Sequence, residues 1–344
     1  MNPFMSYVGS KRDLAQTITR LFPAQIADYR EPCVGSGAVF FELSGRIGQA
    51  LLADANPHVT NLYRYVRAAP VSLMGLVDEH WHRHDASTAA GETGPAHYYY
   101  RVRGQGLVPT LQGAARMLYL NKKGFNGLFR FNRKGLWNVP IGHGKRPVYD
   151  RANLMACSGA ISRVATVITE DVALVLDLAP TGAFVYVDTP YWGQFSQYTA
   201  GGFSEDDHRR VAAACERAAQ RGVNVVVSNS WCAETLALYG GWQVRRVLSR
   251  RSVSCRADGR GYEEELLAWK GAGIVPLPET DVRIGDAARD AEVPDGTGTG
   301  TTGRRPRGGG RLLRRSSPEG LYERVQADSE QGPDAAGPHS TSPA

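Results

Sequence analysis

The sequence predicts an α/β protein: a Rossmann-like, mostly parallel sheet interrupted by a long, mostly helical insertion and followed by a disordered tail. Three observations predict it. A strand, a glycine-rich turn, a helix, a second strand and an acidic residue follow one another within residues 28–54. Short apolar strands at 184–187 and 223–227 run directly into polar residues. Between these two regions, residues 56–159 lose regular periodicity and become rich in Tyr, Arg, His, Asn and Gly.

The first element is a helix with Leu14, Ile18 and Leu21 on one face, Ser10 as its cap and Pro23 beyond its end. A strand over Asp28–Glu31 ends in Pro32-Cys33-Val34-Gly35-Ser36-Gly37, and a helix covers Ala38–Ser44. The second strand, Gln49–Leu52, leads to Asp54, which completes a nucleotide-binding βαβ order. Within the insertion, Ala114–Leu120 is helical. After it, Phe184–Val187 is a strand and Ser204–Arg221 a helix capped by Ser204 with Asp207 at its third position. The wholly apolar Val223–Val227 belongs in the centre of a parallel sheet. Gln243–Leu248 and Glu265–Trp269 form a final pair, which makes six placed strands of an expected seven-stranded core.

The chain has 344 residues, 42% of them hydrophobic, enough for one α/β core with a large insertion. It has no run of 18 apolar residues and no signal-peptide start, so no membrane association and a cytoplasmic location are expected. The net charge of +6 suits a polyanionic partner without identifying one. The five cysteines form no CxxC pair and no cluster with His at zinc spacing, so neither disulfides nor a metal is expected. Residues 281–344 are rich in Gly, Pro, Ser, Thr and charge and bury too little apolar surface to fold. The basic patch Arg304–Arg315 in that tail suits phosphates, or serves only solubility.

Three segments carry chemistry. In Glu31–Gly37 the glycines let the backbone approach a ligand, and Asp54 can accept hydrogen bonds from two ribose hydroxyls. The turn is not GxGxxG, which favours a nucleoside cofactor without a pyrophosphate. In Asp188-Thr189-Pro190-Tyr191, a strand delivers a carboxylate, a rigidly held carbonyl and an aromatic ring to one sheet edge. An aromatic amine is a poor nucleophile, and acceptors on its N–H bonds draw its nitrogen toward sp³ character. Asp188 and the carbonyl held by Pro190 can do this, while Tyr191 stacks on the ring. Taken alone, the tetrapeptide also fits an ordinary turn. Asn121–Pro140 interleaves basic, amide and aromatic residues, as suits phosphates, base edges and wedges between bases; a polar hairpin with satisfied aromatics is the alternative. Arg245, Arg246, Arg250 and Arg251 add a basic surface near the final strand pair.

These segments resemble the D12 class, the Dam-like family of DNA N6-adenine methyltransferases. Tyr7-Val8-Gly9-Ser10-Lys11 is similar to the family's aromatic–x–Gly-Gly-Lys element, with Ser10 for the second glycine. Glu31–Gly37 with Val39-Phe40 resembles its EPFxGxGxVF motif, with Cys33 for phenylalanine. Leu52-Ala53-Asp54-Ala55-Asn56 resembles its LxDxN segment. Leu120–Pro140 resembles its recognition run, matched at Asn126, Leu128, Arg130, Asn132, Asn138 and Pro140. Asp188–Tyr191 stands where the family has DPPY.

The resemblance implies a methyltransferase core at 1–55 and 160–275, a DNA-recognition domain at 56–159, and the alpha order of amino-methyltransferases. It implies S-adenosyl-L-methionine as cofactor, held by Tyr7, Lys11, Glu31, Cys33, Gly35, Gly37, Asp54 and Asp188. Asp188, Pro190 and Tyr191 would be catalytic. Double-stranded DNA would be the partner, with an adenine flipped out of the duplex. Its contacts would include His143, Arg250 and Arg251 as well as the recognition run. Relatives that modify GATC carry Gly-Arg-Tyr after the proline; here Gly142-His143-Gly144 follows, and His143 cannot reproduce a bidentate arginine contact to guanine. The target sequence is therefore left open, as is a separately acting restriction endonuclease. A monomer is expected in solution. Two other classes remain: an RNA or protein-glutamine N-methyltransferase, and a non-catalytic DNA-binding relative.

Overall fold

A computed structural model describes residues 1–132, 135–142, 150–193, 202–250, 262–278 and 282–283. His143, Arg251 and the side chain of Arg250 lie outside the described residues, as does the expected tail except for 282–283. Five strands run parallel: β1 (Ile26–Glu31), β2 (Ile47–Asp54), β3 (Ala165–Thr169), β4 (Phe184–Val187) and β5 (Asn224–Ser230). β6 (Gln243–Arg250) and β7 (Tyr262–Lys270) form the expected antiparallel pair, and β7 joins β5 antiparallel. The two-residue β8 (Val282–Arg283) adds an eighth strand beside β6, one more than the seven expected. The sheet order is β3-β2-β1-β4-β5-β7-β6-β8.

This order has one topological consequence. The chain moves outward from β1 to β2 and β3, then returns to place β4 on the other side of β1. Diverging connections leave a crevice above the carboxyl ends of β1 and β4, where ligands of open α/β sheets bind. The glycine turn follows β1 and Asp188 follows β4, so both predicted segments meet at this switch point.

Side chains alternate across each strand, and two apolar cores result. Val185, Val187, Val225 and Val227 face α8 (Val172–Asp177) and α9 (Glu205–Gln220). Tyr29, Leu52, Tyr186, Val226, Val247, Leu267 and Trp269 face the other core. All four residues of β4 are buried, as a central parallel strand requires. Helix α9 starts with the predicted cap: Ser204 accepts from the Asp207 amide, and the Asp207 carboxylate accepts from the Ser204 amide.

The predicted cap of the first helix is incorrect. Helix α1 is short (Ala15–Thr19), begins after Leu14 and has no side-chain cap. The Ser10 hydroxyl instead lies 2.8 Å from that of Ser36 in the glycine turn. Between β2 and β3 lie α3 (Pro57–Ala68), α4 (Pro70–Ala89), α5 (Tyr98–Arg103), α6 (Leu111–Lys123) and α7 (Arg151–Val164). Helix α2 (Ala38–Leu43) follows the glycine turn after β1, and α10 (Ala233–Leu238) follows β5. After α6 the chain doubles back, with antiparallel bridges Gly124–Ile141 and Phe131–Trp137. None of the described helices is long and apolar enough to cross a membrane.

Candidate active site at the sheet switch point

Strand parity assembles the site. Asp54 is in phase with Leu52, Glu31 with Tyr29, Asp188 with Tyr186, Ser228 with Val226, Ser249 with Val247 and Glu265 with Leu267. One sheet face therefore changes from apolar to polar on six strands or strand ends.

At the glycine turn, Gly35 and Gly37 have φ of 44° and 71°, a region that disfavours other residues. A Cβ at Gly37 would lie 2.4 Å from the Tyr63 Oη, and one at Gly35 would lie 3.0 Å from the Tyr7 ring. The Gly35 amide donates to Asp54 Oδ2 at 3.1 Å, and the Asn56 amide donates to Oδ1 at 2.9 Å. Each carboxylate oxygen keeps a second lone pair, so the pair of acceptors fits two vicinal hydroxyls of a nucleoside. Burial pushes the Asp54 carboxyl up to about 6 against the pull of these amides. Burial also raises Glu31 to about 8, although Tyr29 donates to it at 2.7 Å. The Cys33 thiol is pushed well up by burial and by the Asp54 and Asp188 carboxylates.

At the end of β4, Ser228 Oγ donates to Asp188 Oδ1 at 2.7 Å, and the Tyr186 and Ser228 hydroxyls are 2.8 Å apart. Lys11 Nζ lies 3.3 Å from the same Oδ1 and donates to the Gly9 carbonyl at 2.7 Å. Oδ2 accepts no hydrogen bond from a described side chain, and the Asp188 side chain is 19% exposed. Its carboxyl is raised by burial, with Lys11 and Ser228 pulling it down. Tyr191 places its ring centroid 4.4 Å from Lys11 Nζ and donates its hydroxyl to Glu265. Asn229 and Ser230 hold the next residue: Trp192 donates its amide to Asn229 at 2.9 Å and accepts from Ser230 at 3.0 Å. Among the described residues, no cluster of three His, Cys, Asp or Glu is arranged to hold a metal.

The recognition run divides. Arg130 Nε donates to Asn138 Oδ1 at 2.8 Å, and Asn132 accepts from the Leu136 amide at 3.0 Å. Asn126 takes a φ of 50°, Leu128 is partly buried against the core, and the Pro140 carbonyl accepts from the Phe125 amide. Two expectations from this run are corrected. Phe129 and Trp137, 1% and 2% exposed, pack edge-to-face with Phe131, so these rings are core rather than wedges. Asn121 is fully buried and exchanges two hydrogen bonds with the Ser6 backbone, which fastens the N-terminal segment instead of reading a base.

Of the basic residues near the final strand pair, Arg246 pairs with Glu264 at 3.1 Å and Arg245 donates to the Pro278 carbonyl. Sequence reasoning gave no role to Glu265, Ser249, Tyr186 or Tyr63, although Asn61-Leu62-Tyr63 and Glu264-Glu265-Leu266-Leu267 resemble family segments. The available signal was parity: an acid continuing the Leu267 and Trp269 face.

A family model described as D12 class N6 adenine-specific DNA methyltransferase matches residues 7–253. The chain belongs to this family. It is 28% identical over 279 residues to the type II methyltransferase M.MjaIII of Methanocaldococcus jannaschii, covering 76% of this chain and 95% of the relative. It is 31% identical over 274 residues to a DNA adenine methylase of Vibrio cholerae, covering 77% and 94%. A retron Ec67 DNA adenine methylase of Escherichia coli is 29% identical, covering 79% and 92%. The D12 match spans the glycine turn, the Asn121–Pro140 run and Asp188–Tyr191 together.

Proposed function

We propose that this D12-class methyltransferase moves a methyl group from S-adenosyl-L-methionine to N6 of an adenine flipped out of duplex DNA, forming the N–CH3 bond as the S–CH3 bond breaks and releasing S-adenosylhomocysteine and one amine proton. The carrying observation is the Asp188 carboxylate: one oxygen is held by Ser228 and Lys11, the other accepts no hydrogen bond from a described side chain, and the same Lys11 lies over the Tyr191 ring. The proposed catalytic core is 1–55 with 160–275, and the proposed recognition domain is 56–159. The sheet order, with its switch between β1 and β4, supports a Rossmann-like cofactor site at that crevice.

Bound cofactor supplies an electrophilic methyl on a sulfonium sulfur. Asp54 holds the ribose hydroxyls through its spare lone pairs. Gly35 and Gly37 keep the backbone close, with Tyr7, Glu31, Cys33 and Lys11 lining the cofactor side. Asp188 Oδ2 accepts one N–H of the adenine amine, and the carbonyl before Pro190 accepts the other. The amine lone pair then localises on nitrogen, directed away from both acceptors. Tyr191 stacks on the purine and fixes its plane. Burial raises the Asp188 carboxyl, and Lys11 favours its ionised form against that effect. Asn126, Leu128, Arg130, Asn132, Asn138 and Pro140 form the DNA-facing loop; His143 after it, and Arg250 and Arg251 near the final strand pair, are assigned to DNA from sequence.

Labelled-methyl transfer to duplex DNA, RNA and protein tests the reading, with the product nucleoside identified by mass spectrometry. N6-methyladenine from duplex DNA is expected. Label in RNA or protein alone overturns the substrate assignment. Cofactor binding without transfer to any acceptor marks a non-catalytic relative.

A further inference from the structure

Glu265 lies on β7, on the far side of β5 from Asp188, and no role was assigned to it from sequence. Its side chain is 8% exposed. It accepts from the Tyr191 hydroxyl on Oε2 and from the Ser249 hydroxyl on Oε1. Lys11 Nζ is 3.9 Å from Oε2 and 3.3 Å from Asp188 Oδ1, with the Tyr191 ring beside it. A buried carboxylate costs several kcal/mol unless it is paired and hydrogen-bonded. Here two hydroxyl donors, from the segment after β4 and from β6, are joined by an ion-pair partner from the N-terminal segment.

We infer that Glu265 is a positioning residue of the base pocket: it clamps the Tyr191 phenol from behind, fixing the ring on which the flipped adenine stacks, and shares Lys11 with Asp188. The inference rests on the proposed adenine chemistry for what the ring does, but not for the clamp itself. Tyr191 lies past the end of β4 and belongs to no strand, so β-sheet pairing does not hold this ring. Trp192 is fastened by Asn229 and Ser230 through its backbone, which leaves the Tyr191 side chain to its hydroxyl. Ser249 occupies the second carboxylate oxygen and sets the orientation of Glu265. The Lys11 ammonium, between two carboxylates, joins the stacking surface to the amine acceptor. Displacing either carboxylate therefore disturbs both.

The test compares Tyr191→Phe, Glu265→Gln, Glu265→Ala and the Y191F/E265Q double variant in steady-state methylation of genomic duplex DNA, with cofactor affinity by calorimetry. Each single variant is expected to lose about tenfold in kcat, the scale of one buried hydrogen bond to a charge, with cofactor affinity changed less than about twofold. The double variant is expected to be no worse than the poorer single one, because both remove the same contact. Losses that multiply, an unchanged kcat in E265Q, or a loss confined to cofactor affinity would overturn the clamp. E265Q and Y191F keep the test valid if E265A does not fold. A readout independent of activity uses 3-fluorotyrosine at position 191 and its 19F resonance. E265Q is expected to shift the resonance and lower the pH at which the phenol ionises; an unchanged titration overturns the inference. If wild-type protein methylates no adenine, the proposed function fails, and the 19F titration alone decides whether Glu265 holds Tyr191.

Discussion

Ser228 Oγ, on β5, donates a 2.7 Å hydrogen bond to Asp188 Oδ1, just past the end of β4, and so occupies one of the two carboxylate oxygens. This bond favours the ionised carboxylate and works against the effect of burial. Ser228→Ala is expected to reduce kcat about five- to tenfold, the net worth of such a bond. It should also move the acid limb of the rate profile to higher pH, because one group holding the carboxyl down is gone. Rates from pH 5 to 9 check both effects.

Asp188→Ala is expected to lower kcat by about 100-fold or more, the usual scale for a positioned proton-accepting group. Cofactor affinity should fall much less, because Asp54 and the glycine turn are untouched. The wild-type rate should decline on the acid side above the range of an ordinary aspartate, since the Asp188 carboxyl is raised and must be ionised to accept an amine N–H. Single-turnover rates and calorimetry separate the two quantities.

Asp54 gives cofactor binding its own pH dependence. Its carboxyl is held at about 6, and the ionised form accepts hydroxyls better than the neutral acid. Affinity is expected to be steady above pH 7 and to weaken as pH falls through 6. Calorimetric titrations at intervals from pH 5 to 8 would show this. In Asp54→Asn the affinity should be weaker throughout and the pH dependence lost.

Glu31 is a stability switch in the opposite sense. Its carboxyl sits at about 8 in the folded protein against 4.5 for the free group. Folding therefore favours the protonated form, and the stability gained from it is present below pH 4.5 and lost as pH rises through 8. Glu31→Gln is expected to raise stability at pH 9 relative to wild type by at least about 1.4 kcal/mol, the free energy of one pH unit. At pH 5 the difference should nearly vanish. Urea unfolding at the two pH values measures it.

Gly37→Ala is expected to destabilise by about 1–3 kcal/mol, because φ is left-handed and the new Cβ meets the Tyr63 hydroxyl. Adding Tyr63→Phe removes the hydroxyl but not the backbone strain, so rescue should be partial. Thermal unfolding of the single and double variants checks this.

The sheet was legible where strands are apolar and end in a polar residue, as at Asp54 and Asp188. β3 was missed because α7 runs into it at Val164–Ala165 with no Gly or Pro to mark the boundary. Ser10 looked like a helix cap because nothing in the local sequence reveals a partner 26 residues away in Ser36. The aromatics of Asn121–Pro140 looked exposed because their packing partners are one another across a chain reversal, which periodicity does not detect. Glu265 was hidden in a run of three glutamates, where only strand parity separates the buried acid from its neighbours. Asp188 with Tyr191 could be read from the motif, but the supports of both, Ser228 and Glu265, lie on other strands.

The most direct measurement is single-molecule sequencing of DNA from a methylation-free bacterial host expressing this chain, beside the same host expressing Asp188→Ala. The account predicts N6-methyladenine at one defined sequence context with the wild-type chain and its loss with the variant. N6-methyladenine that persists in the Asp188→Ala strain, or a wild-type strain whose only new mark is on cytosine, would contradict it.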